Sequence, residues 1–228
     1  MIFRDLVTRS RSIRRFDEDY EVCEEVLREL VELACYIPSA GNRQPLRYFP
    51  VTGADMIEKV FPCLGWAGYL ETWTGPEPGE RPTAALLILC PKEDMQGAVC
   101  DSGIAAQTLM LGAVEKGLGG CIIASFDRKR LYDALGISES WEVMLVIALG
   151  RPREIVVIDL IDPGGDIRYW RDRYGIHHVP KRKPDDMIMT TEQLGGECVK
   201  IFRSVPYDQS GRCASGLPAW IFSHGRFT

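Results

Sequence analysis

The densest concentration of usable chemistry lies near the start of the chain, in Arg9-Ser10-Arg11-Ser12-Ile13-Arg14-Arg15-Phe16. Four guanidinium groups within seven residues repel one another in isolation, and a bound anion relieves that repulsion. Phosphate suits them best, because its oxygens accept forked hydrogen bonds, and Ser12 would add a hydroxyl donor. The spacing alone is equally consistent with a solvated basic face. Lys181-Arg182-Lys183 forms a second cationic group that admits the same two readings.

Two further stretches carry polar atoms on a stiff frame. The loop Pro38-Ser39-Ala40-Gly41-Asn42-Arg43-Gln44-Pro45 offers hydroxyl, amide and backbone N–H donors, while its two prolines and one glycine restrict its path. Such a loop is suited to holding the edge of a ring, although an ordinary connector has the same composition. Cys121-Ile122-Ile123-Ala124 is a short buried strand running into Ser125, Phe126 and Asp127, the shape of a ledge.

The element that must position these groups is the helix within Asp101 to Phe126. From Ile104 to Val114 its residues are apolar or small on nearly every face, with Gln107 the main interruption, so it is expected to be covered all round as a core or subunit-interface helix. Gly117, Leu118, Gly119 and Gly120 stop it. Ahead of it, Val22, Val26, Leu27, Leu30, Val31 and Ala34 recur at helical spacing within Glu21 to Tyr36. Strands are expected at 48–52, near a sheet edge because of Pro50, and at 84–90, 143–149 and 155–161, with short helices at 1–8, 54–60 and 128–135. The aromatics of 64–73 fit either a lid over a planar ligand or packing beneath a linker. Strands and helices alternate with uneven connections, so the expected class is α+β with a mixed sheet.

The chain has 228 residues, 46% hydrophobic, with a net charge of -5. That composition suits one compact domain with or without an extension, and net acidity argues against general affinity for nucleic acid. No apolar run approaches the roughly 18 residues that cross a bilayer, and the N-terminus has no apolar signal core, so a cytoplasmic location is expected. The eight cysteines, Cys23, Cys35, Cys63, Cys90, Cys100, Cys121, Cys198 and Cys213, are scattered without a CxxC pair and are expected to be reduced and mostly buried. Of the three histidines, the adjacent His177 and His178 point in different directions, which disfavours a shared metal.

RSIRRF at 11–16, PSAGNRQP at 38–45, DSGIAAQTLMLGAVEKGLGGCIIASF at 101–126 and IALGRP at 147–152 together resemble the nitroreductase family of FMN enzymes. The resemblance implies an α+β nitroreductase-like fold with a mixed central sheet flanked by helices, in an intertwined homodimer with an FMN in each interface cleft. It implies that Arg11 bonds the phosphate or ribityl chain and that Ser12 belongs to the same motif. Arg14 would sit near the N1/O2 edge of the flavin, where a fixed cation stabilises the charge that reduction brings. Pro38, Ser39 and Asn42 would meet the flavin from the partner subunit, Ala124 and Ser125 would face N5 and O4, and Lys181 and Arg182 would contact phosphate. Ser10 departs from the family pattern, where many members carry Arg.

The likeness runs through residues 1–188, leaving 189–228 as an extension of unknown role. It implies an oxidoreductase that takes hydride from NADH or NADPH and reduces a planar acceptor such as a nitroaromatic or quinone by a ping-pong mechanism. Fragmentation or dehalogenation by the same cofactor, and a non-catalytic flavin sensor or storage protein, are the alternatives. No side-chain acid or nucleophile is expected, and no GxGxxG follows a strand, so nicotinamide would share the flavin cleft.

Overall fold

The structure is a computed structural model that describes residues 2–190 and 193–194. Two compact units are distinguished, Met1–Lys181 and Arg182–Thr228. Apart from four residues, the expected extension at 189–228 lies outside the described residues.

The first unit opens with α1 (Phe3–Arg9), β1 (Phe16–Asp17) and α2 (Glu24–Cys35). In α2, Leu27, Leu30 and Ala34 are buried at intervals of three and four residues, the stripe that a helix lays against a core. After a 3₁₀ turn at Ala40–Asn42 come β2 (Arg47–Thr52) and α3 (Ala54–Val60), then β3 (Ala84–Pro91), α4 (Ala98–Glu115), β4 (Gly119–Ile123) and α5 (Arg128–Leu135). Asp127 caps α5 by accepting from the Arg130 N–H at 3.0 Å, and Gly136 ends it in the left-handed region at φ 65°. β5 (Trp141–Pro152), β6 (Val156–Ile161), β7 (Trp170–Arg171) and β8 (His177–Arg182) follow. The described part of the second unit holds α6 (Pro184–Met187).

The central sheet runs β1-β5-β3-β2 with β4 also on β5, and its ladders are antiparallel. Its parallel component is a single bridge between Ser12 and Gly120. β2 is at the edge, as Pro50 requires. β3, which contributes Ala84 through Cys90, is buried on both faces because α2 and α4 pack on one side and α3 and α5 on the other. A second sheet runs β6-β8-β7.

α4 matches the expected helix in place and composition, and its cover is uneven. Ala105, Ala106, Leu109, Met110, Ala113 and Val114 are buried, whereas Gly103 and Gln107 are exposed and Ile104, Thr108 and Leu111 half-buried. Among the described residues, one stripe of a helix with apolar character all round therefore remains open. Gly112 explains the tight approach of α2: a Cβ there would lie 2.6 Å from Leu33 Cδ1. The thiols differ from expectation: of those described, Cys63, Cys90 and Cys121 are buried but Cys23, Cys35 and Cys100 are exposed.

Candidate functional site

Where α1 ends, Ser10 to Arg14 run extended along β4. The Ile13 N–H donates to Gly120 O at 2.8 Å, which fixes the register. The approach depends on glycine, since a Cβ on Gly119 would meet Ile13 Cγ1 at 2.7 Å and one on Gly120 would meet Met110 Sδ at 2.9 Å. With its path set in this way, the segment forms one wall of a cleft of about 350 Å³.

Each other wall comes from a regular period. β8 contributes His177, Val179 and Lys181, alternate residues that share one face of a strand. α4 contributes Gln107 and Met110, three residues apart on one face of a helix, and β4 contributes Ile122. Tyr169 closes the remaining side. Arg11, Ser12, Arg14 and Lys181, predicted from sequence to handle an anion, are thus brought together although up to 170 residues separate them. None of the described lining residues is acidic. A second hollow, of about 280 Å³, is lined by Glu18, Glu21 and Glu58 against Arg81 and is ill suited to phosphate.

The basic groups are held but not used up. Arg11 Nη2 donates to Val7 O at 3.0 Å, while its Nε is buried with no hydrogen-bond partner among the described residues. Burial lowers the Arg11 pKa from its usual value. Arg14 is 8% exposed, and its Nη1 lies 3.4 Å from Ser12 O and 3.2 Å from His177 Nε2. Its guanidinium carbon sits 4.8 Å from the centroid of the Tyr169 ring, a cation–π contact. Arg14 Nε, like Arg11 Nε, is buried without a partner. A buried unpaired donor is costly, so two of them beside a cleft fit an anionic, hydrogen-bond-accepting ligand.

Behind the cleft, Glu154 holds the frame. It accepts from the Arg14 backbone N–H, and its other oxygen takes Arg171 Nη2 at 3.0 Å, with the two side chains 1% and 12% exposed. Trp73 lies under Arg171 at 4.2 Å and Tyr69 packs tilted against Tyr169 with centroids 5.0 Å apart. Tyr69 and Trp73 of the 64–73 stretch thus pack against Tyr169, which lines the cleft, and Arg171 behind it.

The other expected contacts lie elsewhere in the chain. Ala124 and Ser125 follow β4 directly and are exposed, and Ser125 O accepts from the Gly65 N–H at 2.7 Å. Pro38, Ser39 and Asn42 belong to the loop before β2. Ser39 Oγ donates to Asp101 Oδ2 at 2.6 Å and accepts from the Gln44 N–H at 2.9 Å, and the Ala40 N–H donates to Asp101 Oδ1 at 3.1 Å. The single Ser39 hydroxyl proton is thus committed to Asp101. Arg182 ends β8 exposed and belongs to the second unit.

The profile described as "Nitroreductase family" matches residues 7–67 and 71–151. The chain belongs to the nitroreductase family. A protein of Methanothermobacter thermautotrophicus (strain Delta H), provisionally assigned as an NADH dehydrogenase/NAD(P)H nitroreductase, is 30% identical over 164 residues, covering 67% of this chain and 79% of that protein. The solved structure of a nitroreductase family protein from Clostridium difficile 630 superposes with a TM-score of 0.54 at 22% identity, covering 68% of this chain and 87% of the other. That of an FMN- and NADPH-dependent nitroreductase from Sphigopyxis sp. strain HMH superposes with a TM-score of 0.52 at 18% identity, covering 67% and 89%. At these identities the solved structures establish a shared nitroreductase fold.

Sequence reasoning missed several residues of this cleft. His177 was considered only as half of a metal pair, and Tyr169, Gln107, Met110, Ile122 and Val179 were not singled out. Strand alternation from Lys181 would have found Val179 and His177, the one signal the sequence held.

Proposed function

We propose that this nitroreductase-family chain is an FMN-dependent oxidoreductase that draws on NADH or NADPH. The supporting observation is the cleft in which Arg11, Arg14 and Lys181 converge without a carboxylate while Arg11 Nε and Arg14 Nε stay unpaired. When bound there, FMN would supply the redox chemistry, taking reducing equivalents from the nicotinamide and giving them to a second substrate in a ping-pong sequence. Arg11 and Lys181, with Ser12, supply donors for the phosphate and ribityl end. Arg14, clamped by Tyr169 and His177, presents fixed positive charge to the edge of the ring that becomes anionic. Apolar Met110 and Ile122 exclude water from the cleft wall. The proposed acceptor is planar, a nitroaromatic or quinone, because it must reach the same flavin that the nicotinamide reduces.

The functional unit in this reading is a homodimer. The open stripe of α4 forms its axis, and the loop carrying Pro38, Ser39 and Asn42 reaches the partner's cleft. Val99, 72% exposed on α4, and exposed Gly103, where a Cβ would meet nothing within 4 Å, leave the helix ready for close approach. Ala124 and Ser125 offer main-chain groups to the reactive side of the ring, and Arg182 adds charge near phosphate.

The test is spectroscopic. Purified protein loaded with FMN is expected to be yellow and to bleach on anaerobic addition of NADH or NADPH. Protein that takes up no FMN would refute the cofactor reading, and bound flavin that neither nucleotide bleaches would refute the enzymatic one.

A further inference from the structure

His177 has no role in the sequence reading, yet it is fully buried and its imidazole touches the cation at the centre of the cleft. A guanidinium has five N–H donors and no acceptor. For Arg14 Nη1 and His177 Nε2 to lie 3.2 Å apart as a hydrogen bond, Nε2 must carry a lone pair. The imidazole is therefore neutral, with its proton on Nδ1. Its surroundings enforce that state: burial acts first, then the charges of Arg14, Arg171, His178 and Arg15, and together they lower its pKa to about 4. These four flanking groups are cationic or titrate to a cation, so none favours an imidazolium.

The contact leaves Arg14 little freedom. Its Nη1 is shared between Ser12 O and His177 Nε2, its face is covered by Tyr169, and the Tyr169 ring packs tilted against His177 with centroids 5.3 Å apart. The His177 backbone is tied to Ile155 O at 2.9 Å and paired across to Arg171, so the acceptor does not move. An unbranched arginine otherwise samples many rotamers, and each one lost before binding is entropy that the ligand need not supply.

We propose that His177 is a positioning residue: as a neutral acceptor it clamps Arg14, keeping the guanidinium's remaining donors aimed into the cleft for the flavin. The inference rests on the reading of this cleft as the FMN site and extends it to a residue that would not itself touch the cofactor.

The test pairs an affinity cycle with a measurement that needs no flavin. In the cycle, FMN dissociation constants are measured for wild type, His177→Leu, His177→Gln and Arg14→Ala, and for the Arg14→Ala variants of both. Thermal melting identifies the variants that remain folded. His177→Leu is expected to weaken FMN binding roughly tenfold, and His177→Gln, whose amide oxygen can replace Nε2 as acceptor, to recover most of it. Neither substitution should matter once Arg14 is alanine. In flavin-free wild-type protein at pH 7, nitrogen NMR of the imidazole is expected to show the neutral tautomer with the proton on Nδ1.

An imidazolium, or a proton on Nε2, would overturn the inference even if His177→Leu fails to fold. So would unchanged FMN affinity in folded His177→Leu, or an effect of the same size without Arg14. A wild-type protein that binds no FMN would overturn the cofactor reading and this inference together, a result distinguishable from the others.

Discussion

Two polar regions of this molecule are built on opposite terms. The loop at 38–45 is complete in itself: Asp101 takes both the Ser39 hydroxyl and the Ala40 N–H, and Ser39 returns an acceptor to the Gln44 N–H. That bracing is needed because Gly41, Asn42 and Gln44 all lie at positive φ, 59°, 54° and 51°, a conformation that costs a residue such as Gln about 1 kcal/mol or more. The cleft, by contrast, holds three cations together and leaves Arg11 Nε, Arg14 Nε and His177 Nδ1 buried without partners. One region is a preset shape and the other an unsatisfied one. In the proposed reading, the cleft is the region that a ligand completes.

The sharpest way to separate them is pH. His177 has a folded pKa of about 4 against an ordinary 6.5, so the unfolded chain binds more protons in that window. Its contribution to stability is complete above pH 6.5 and is lost as pH falls toward 4, by up to about 3 kcal/mol. Urea denaturation at pH 7 and pH 4 is expected to show this loss in wild type and a smaller one in His177→Gln. Equal losses would place the acid sensitivity elsewhere.

Next in size is the loop. Asp101→Ala strands the Ser39 hydroxyl and the Ala40 N–H and is expected to lower stability by about 2–3 kcal/mol in the same assay. Asp101→Asn, which keeps one acceptor, should cost less. Arg14→Ala is the complementary break. It removes a charged donor from the cleft, and FMN affinity is expected to fall about 10- to 100-fold by fluorescence titration, with a smaller change in stability than Asp101→Ala gives. Lys181→Ala has the smallest expected effect, a few-fold loss of FMN affinity that fades at high salt, because Lys181 is exposed and its charge is screened. If Asp101→Ala mainly changed affinity and Arg14→Ala mainly changed stability, the contrast between the two regions would be reversed.

Much of the frame was legible because it rests on local periods. The α2 stripe, the apolar run of α4 and the edge position of β2 follow from residue spacing and from Pro50, and the α3 and α5 bounds agree with the sequence reading. The clustering of Arg11 and Arg14 was legible through residue type, although the same clustering admits a solvated basic face, and the cleft that gathers them with Lys181 was not. The rest depended on tertiary register that no spacing encodes. Arg14 meets His177 across 163 residues, and Asp101 braces a loop 61 to 62 residues away. What covers α4 was not legible either: among the described residues a stripe around Gly103 and Gln107 stays open, and residue spacing does not distinguish a core helix from a subunit-interface one.

The central claim, that the cleft of Arg11, Arg14 and Lys181 grips a phosphorylated flavin, is tested most directly by titrating flavin-free protein with FMN and with riboflavin, which lacks the phosphate. The account predicts that FMN binds at least about tenfold more tightly and that Lys181→Ala narrows the gap. Equal affinity for the two, unaffected by Lys181→Ala, would contradict it.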